Sequence, residues 1–288
     1  MVYQTFSYTP LPDLSQLPFL LRLIDDPSPQ VREKIAARLR EWGASVWLEI
    51  DSQQLQLSSS QRELLQNILA PVVAKESDWL NWLHKDCETE QLEAALGWLS
   101  NRFSKNLTPT AEVQLRVELD SLAREYLSHG GSPDPEELSH FLFREKGLRG
   151  ATGDNYYAPE NSDLLWVLDN KSGLPISLAC VFILVAARLG IEVVGCEFPG
   201  HFLARAPMSD GENADLVFDC HDAGRLLQPF EVDALRKSAF HAMSTPANAR
   251  SIVARVLRNF ATAFHVQGNR TATLFHLNLL QQLEAAKI

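Results

Sequence analysis

Residues 173–205 read GLPISLACVFILVAARLGIEVVGCEFPGHFLAR, and the fold is decided here. Pro175 suits the first position of a helix, where its missing N–H leaves nothing unpaired. From Ile176 to Leu189 the helix is apolar on almost every face, with Ser177 and Arg188 as the exceptions. A helix of that kind belongs in a core rather than on a surface. Its unbroken apolar run, Leu178 to Ala187, is too short to span a bilayer. Gly190 ends the helix. Glu192–Phe198 then reads as a strand, Pro199-Gly200 as a break, and His201–Ala206 as a second strand. Met208–Asn213 is a polar turn segment, and Asp215–Cys220 reads as a third strand. The expected class is α+β: a mainly helical N-terminal region, a small antiparallel sheet against the Pro175–Leu189 helix, and a C-terminal helical hairpin.

The register of the last hairpin carries the chemistry. His201 and Asp219 each lie nine residues from Asp210, the middle of the turn segment. A hairpin closing there sets them opposite each other, or within a residue of it, on one face of the sheet. A one-residue slip would put them on opposite faces. The expectation is a His201–Asp219 pair beside the start of a buried helix, a base held by a carboxylate. Ser177 is the hydroxyl of the helix's first turn, where developing negative charge is favoured. It has two readings: nucleophile of a Ser177–His201–Asp219 set, or a hydroxyl bonded to backbone at the helix start. Asn161, Tyr157, Trp166 and Arg225, with Pro175 and Gly200, mark a cleft beside His201. The same asparagine and aromatics also suit loop anchoring. Cys180 reads as a core thiol, and Cys220 should face away from Asp219.

The order helix, strand, His-bearing strand, Asp-bearing strand resembles the transglutaminase-like branch of the papain-like fold. That family's core begins Gly-x-Cys-x-x-x-Ala at a helix start and has a Leu-Gly-Ile helix end. Here Gly173-Leu174-Pro175 and Ala179 stand in those places, followed by Leu189-Gly190-Ile191. The resemblance therefore puts the nucleophilic cysteine's position on Pro175, the general base on His201 and its orienting carboxylate on Asp219. More closely, the chain resembles the bacterial SirB-type proteins, which join a transglutaminase-like core to a TPR-like tail. The matching pieces are Tyr156-Tyr157-Ala-Pro-Glu-Asn161-Ser162, Gly173-Leu-Pro-Ile-Ser177-Leu, Phe198-Pro-Gly-His201-Phe-Leu, Phe218-Asp219 with Gly224-Arg225-Leu-Leu, and Arg258-Asn259. The resemblance covers roughly residues 90–285. Ser177 is two residues past the family's nucleophile, about 200° round a helix, which favours its backbone-bonding reading. The resemblance then implies a degenerate, non-catalytic module that binds a peptide or protein partner. The alternative is a hydrolase or acyl-transferase on peptide or amide bonds, using His201–Asp219 with Ser177 or an activated water.

Composition narrows the classes further. The chain has 288 residues and a net charge of −10, which disfavours sequence-independent nucleic-acid binding. The four cysteines, Cys87, Cys180, Cys196 and Cys220, are widely spaced and read as free thiols. MVYQTFSYTP shows no signal-peptide pattern, so a cytoplasmic protein without a membrane segment is expected. Asp219-Cys220-His221-Asp222 alternate faces along a strand, so no metal site is expected. No GxGxxG, GxxxxGK[ST] or HExxH implies a cofactor. Residues 1–130 form the helical region, with a short apolar helix, an Asp-Pro turn and a second helix making one HEAT-like repeat near 17–43. The core is expected over 131–245 and the TPR-like hairpin over 246–288.

Overall fold

The computed structural model describes residues 14–43, 45–101, 111–198, 200–207, 215–238 and 245–286. The turn expected around Asp210 and most of the N-terminal arm lie outside them. The chain divides into two units, residues 14–81 with 260–286, and residues 82–259. These divisions fall elsewhere than the sequence boundaries at 130 and 245. Among the described residues no helix is long and apolar enough to cross a membrane.

The first unit is helical: α1 (Leu17–Arg22), α2 (Pro29–Trp42), α3 (Ser45–Ser52) and α4 (Ser59–Glu76). In α2, Ile35, Leu39 and Trp42 recur at three- and four-residue steps, so one stripe is apolar, and all three are buried. They share a core with Leu17, Leu21, Ile24, Val46 and Leu65. The helix α3 was not expected from the sequence. The last helix of the chain packs on it.

The second unit is α+β. It holds α5 (Glu88–Asn101), α6 (Ala111–Ser128), α7 (Pro135–His140, continued by a π-turn over Phe141–Glu145), α8 (Leu164–Asn170), α9 (Pro175–Arg188) and α10 (Pro229–Ser238). Its strands are β1 (Arg149–Gly150), β2 (Ser172–Gly173), β3 (Val194–Phe198), β4 (His201–Ala206), β5 (Leu216–Asp219) and β6 (Arg225–Leu226). β3 to β6 form an antiparallel meander in chain order, while β1 and β2 form a short parallel pair. That parallel pair needs a long crossover, and α8 lies within it. The closing hairpin is α11 (Ala249–Val266), which starts in this unit and ends in the other, and α12 (Arg270–Ala285).

Every residue of α9 from Pro175 to Ala186 is buried. It packs against α5, α6, α7, α8, β3 and β4. Arg188 leaves the apolar face at its C-terminal end and is held there by Asp120 of α6 (2.6 Å) and Glu93 of α5 (2.6 Å). The helices α5 and α6 thus belong with the sheet. Their close approach depends on Gly97, where a Cβ would stand 2.8 Å from the Glu112 Cα. The cap of α8 is Asp163, which accepts hydrogen bonds from Leu165 N (3.1 Å) and Ser100 Oγ (2.5 Å). Burial pushes this carboxyl up to about 6, against the downward pull of those bonds.

Two predictions follow from this packing. Gly97→Ala gains about 1 kcal/mol of helix propensity but overpacks a backbone contact, which costs roughly 1–3 kcal/mol. Urea denaturation is therefore expected to show a net loss. Asp163 is raised in the folded state, so the stability it contributes is complete below the ordinary value of 3.8 and is lost as pH rises through about 6. The loss is on the order of 3 kcal/mol, and Asp163→Asn should flatten that part of the stability–pH curve.

Candidate functional site

His201 is the first residue of β4 and Asp219 the last of β5. Ala204 stands opposite Phe218 in the ladder, which brings Asp219 level with Leu203. The pair is therefore offset by two residues, a correction to the expected direct or one-residue pairing. An even offset keeps the two side chains on one face, and a diagonal neighbour is still within reach. His201 Nε2 donates to Asp219 Oδ2 at 3.0 Å.

Asp219 is saturated by its surroundings. Its other oxygen, Oδ1, accepts from His221 N and Asp222 N, each at 3.1 Å. Burial alone would push the carboxyl up. The hydrogen bond and charge of His201, with the two backbone donors, outweigh that and hold it below its usual value. An acceptor carboxylate on Nε2 fixes the neutral ring as the Nε2–H tautomer, which leaves Nδ1 as the basic nitrogen. Nδ1 bonds to no described residue, and the ring is partly open, with 35% of the side chain exposed.

Two supports of the dyad were not identified from the sequence. Arg255 of α11 donates to Phe198 O (3.0 Å) and to His201 O (2.8 Å), clamping both sides of the Pro199-Gly200 break. Gly200 takes φ +74°, a conformation that favours glycine. His221 donates through Nε2 to Ala151 O at 3.0 Å, and its ring lies 6.4 Å from that of His201. It seats against Gly150, where a Cβ would fall 2.4 Å from the ring. The Gly150–His221 contact joins β1 to the end of β5. Nothing in local sequence pattern couples residues 71 apart.

The other expected residues fall into two groups. Asn161 is buried and anchors a loop: its Nδ2 donates to Asn155 O and Tyr156 O, and its own carbonyl accepts from Leu174 N. Tyr157 is 53% exposed and meets Tyr156 edge-to-face at 5.2 Å, and Tyr156 in turn lies 6.1 Å from His221. An edge-to-face line of rings thus runs from Tyr157 to His201. Arg225 ion-pairs with Asp222 (2.8 Å) and Glu231 (2.9 Å), bracing the turn after Asp219. Trp166 lies on α8 and has no hydrogen bond or ring contact with His201.

No nucleophile joins the dyad among the described residues. Pro175 opens α9, and Ser177 is 2% exposed with an Oγ that bonds neither His201 nor backbone. Phe218 meets Phe182 of α9 edge-to-face at 5.3 Å, so strand alternation turns Asp219 to the other face. Leu203 and Val217, which share the dyad's face, pack with Leu227 and Val232 instead. Burial pushes the thiols of Cys180, Cys196 and Cys220 up, away from the thiolate form. Among the described residues, no three His, Cys, Asp or Glu side chains stand together as metal ligands.

Asp219→Ala removes one side-chain and two backbone hydrogen bonds. It is expected to cost roughly 1–3 kcal/mol in chemical denaturation at pH 7. Because the folded carboxyl sits below its usual value, its contribution is present above the ordinary carboxylate range and lost as pH falls through the folded value. The acid limb of the stability curve should therefore be shallower in Asp219→Ala than in the parent.

The chain is similar in sequence to several known proteins. A UPF0162 protein of Xylella fastidiosa is 36% identical over 168 residues, which cover 50% of this chain and 57% of the relative. A UPF0162 protein of Pseudomonas aeruginosa is 33% identical over 135 residues, covering 43% of this chain and 47% of its own. F-box only protein 21 of Mus musculus is 25% identical over 130 residues, 43% of this chain and 21% of the relative. The chain thus spans about half the length of the bacterial relatives it matches. No solved structure matches it. The sequence profile described as the transglutaminase-like superfamily matches residues 112–258, which include α9, the whole meander and Arg255. On that match the chain belongs to the transglutaminase-like superfamily.

Proposed function

We propose that this protein is a non-catalytic member of its superfamily, a module that binds a peptide or protein through the cleft beside His201 and Asp219. One observation carries this: the dyad is assembled, but among the described residues no nucleophilic side chain bonds to it. Pro175 occupies the place where the resemblance puts the family's cysteine, and Ser177 is sealed in the core. The cleft offers what a polar backbone needs, an open imidazole nitrogen and the exposed ring of Tyr157. In this reading the helical hairpin and the N-terminal helices supply further contact surface, in the manner of TPR-like and HEAT-like units. A role independent of nucleic acid accords with the charge of −10.

A second reading has one observation in its favour. The His201–Asp219 pair keeps the tautomer and the unbonded Nδ1 that a general base requires. An activated water, rather than Ser177, would then attack an amide or peptide bond.

The test is labelling of the native protein with a fluorophosphonate and, separately, with iodoacetamide, followed by mapping of the adducts and comparison with His201→Ala. The expected result is alkylation at Cys87, the exposed thiol, at a rate indifferent to His201, and no fluorophosphonate adduct. Rapid labelling of Ser177 or a core cysteine that vanishes in His201→Ala would overturn the non-catalytic reading. Peptide hydrolysis lost in the same variant would favour the activated water.

A further inference from the structure

A second site lies apart from the dyad, where α6 ends and α7 begins. A cavity of about 240 Å³ is lined there by Tyr126, Phe141, His129, His140, Glu137 and Glu145. Its walls are built from a short stretch of chain, and three features of that stretch point to a ligand.

The first is the backbone. The α-helical turn beginning at Pro135 gives way over Phe141–Glu145 to a π-turn, closed by Lys146 N donating to Phe141 O at 2.8 Å. Such turns are rare, and they concentrate at functional sites because the extra residue re-aims side chains. Here the π-turn carries two of the lining residues, Phe141 and Glu145.

The second is an aromatic wall, one ring of which already holds a cation whose residue does not line the cavity. Tyr126 and Phe141 meet at 5.3 Å. Lys146 Nζ lies 5.6 Å from the Phe141 ring centre while pairing with Glu125. The Tyr126 ring is pinned from above: its hydroxyl donates to Ser132 O at 2.6 Å, and a Cβ on Gly131 would stand 2.5 Å from the ring.

The third is charge. Glu137 is locked in place by Ser132 N (3.2 Å) and Ser132 Oγ (2.6 Å), which donate to its carboxylate and stabilise its ionised form. Glu145 is the second carboxylate, 3.4 Å from His140 Nδ1. Among the described residues no lysine or arginine lines the cavity, whereas two carboxylates do, beside the imidazoles of His129 and His140. Aromatic rings beside fixed carboxylates attract an organic cation and repel an anion.

We propose that this cavity binds the ammonium or guanidinium group of a basic side chain presented by a partner peptide. The site is independent of the dyad, and of whether the dyad has any activity.

The test is an amide chemical-shift titration of the full chain with four blocked tripeptides, Ala-X-Ala, in which X is arginine, lysine, norleucine or glutamate. The arginine or lysine peptide is expected to shift Tyr126, His129, Gly131 and Phe141 and to bind at least about fivefold more tightly than the norleucine peptide. Glu145→Gln, on an exposed side chain, and Phe141→Leu should each weaken that binding about two- to fivefold, while His201→Ala leaves it unchanged. Equal binding of the norleucine peptide, preference for the glutamate peptide, or insensitivity to Glu145→Gln would overturn the proposal. So would the absence of any shift up to about 10 mM peptide, beyond the weakest useful affinity.

Discussion

The burial of α9 is the constraint on which the second unit depends. A helix with no polar face has to be covered on all sides, and α5, α6, α7, α8 and the β3–β4 ribbon provide the cover. Burying a single leucine-sized side chain is worth roughly 1.5–3 kcal/mol, and α9 presents a dozen residues to that effect. The placement of everything else follows. Arg188, the one charge on the helix, sits where the core ends and is met there by carboxylates from two of the covering helices. Gly97 lets those two helices approach closely enough to share the task.

The site is a by-product of the same packing. Sheet strands laid against α9 alternate between a helix-facing set, Phe202, Ala204 and Phe218, and an outward set containing His201, Leu203 and Asp219. The His–Asp bond forms within the outward set. A catalytic arrangement would need a nucleophile delivered to that bond, and the described side chains of α9 are committed to the core. The dyad is nonetheless well maintained: Asp219 has a partner for each oxygen, Arg255 holds the backbone of His201, and His221 is wedged on Gly150. The cavity under the Gly130-Gly131 turn shows the same economy, with Glu137 and Tyr126 fixed by one residue, Ser132.

Much of this was legible before any coordinates. The apolar run from Leu178, the Pro175 start and the Gly190 stop mark a core helix by composition alone, and the observed bounds are Pro175–Arg188. The strand His201–Ala206 was read with the same ends. The pairing of His201 with Asp219 was legible as a same-face relation, because faces depend only on whether the offset is odd or even. Its true register was not, because the length of a turn is a property of backbone conformation that residues 208–214 do not spell out. Helix α3 escaped notice because Ser45–Ser52 is short and mixed in character, so it carries little periodic signal. The parallel β1–β2 pair escaped for a similar reason, being two residues on each side.

The sequence by itself determined the buried helix, the α+β class and the identity of the two residues that meet as imidazole and carboxylate, since these rest on local periodicity and on alternation. The tertiary structure alone decided which groups hold them. Arg255 reaches His201 across 54 positions and His221 reaches Ala151 across 70, and no local propensity encodes such contacts. It also decided that the Ser177 hydroxyl is enclosed rather than presented. Whether a polar side chain in the first turn of a helix faces a cleft or a core depends on which elements cover that turn, and that is settled only when the covering helices and strands have packed.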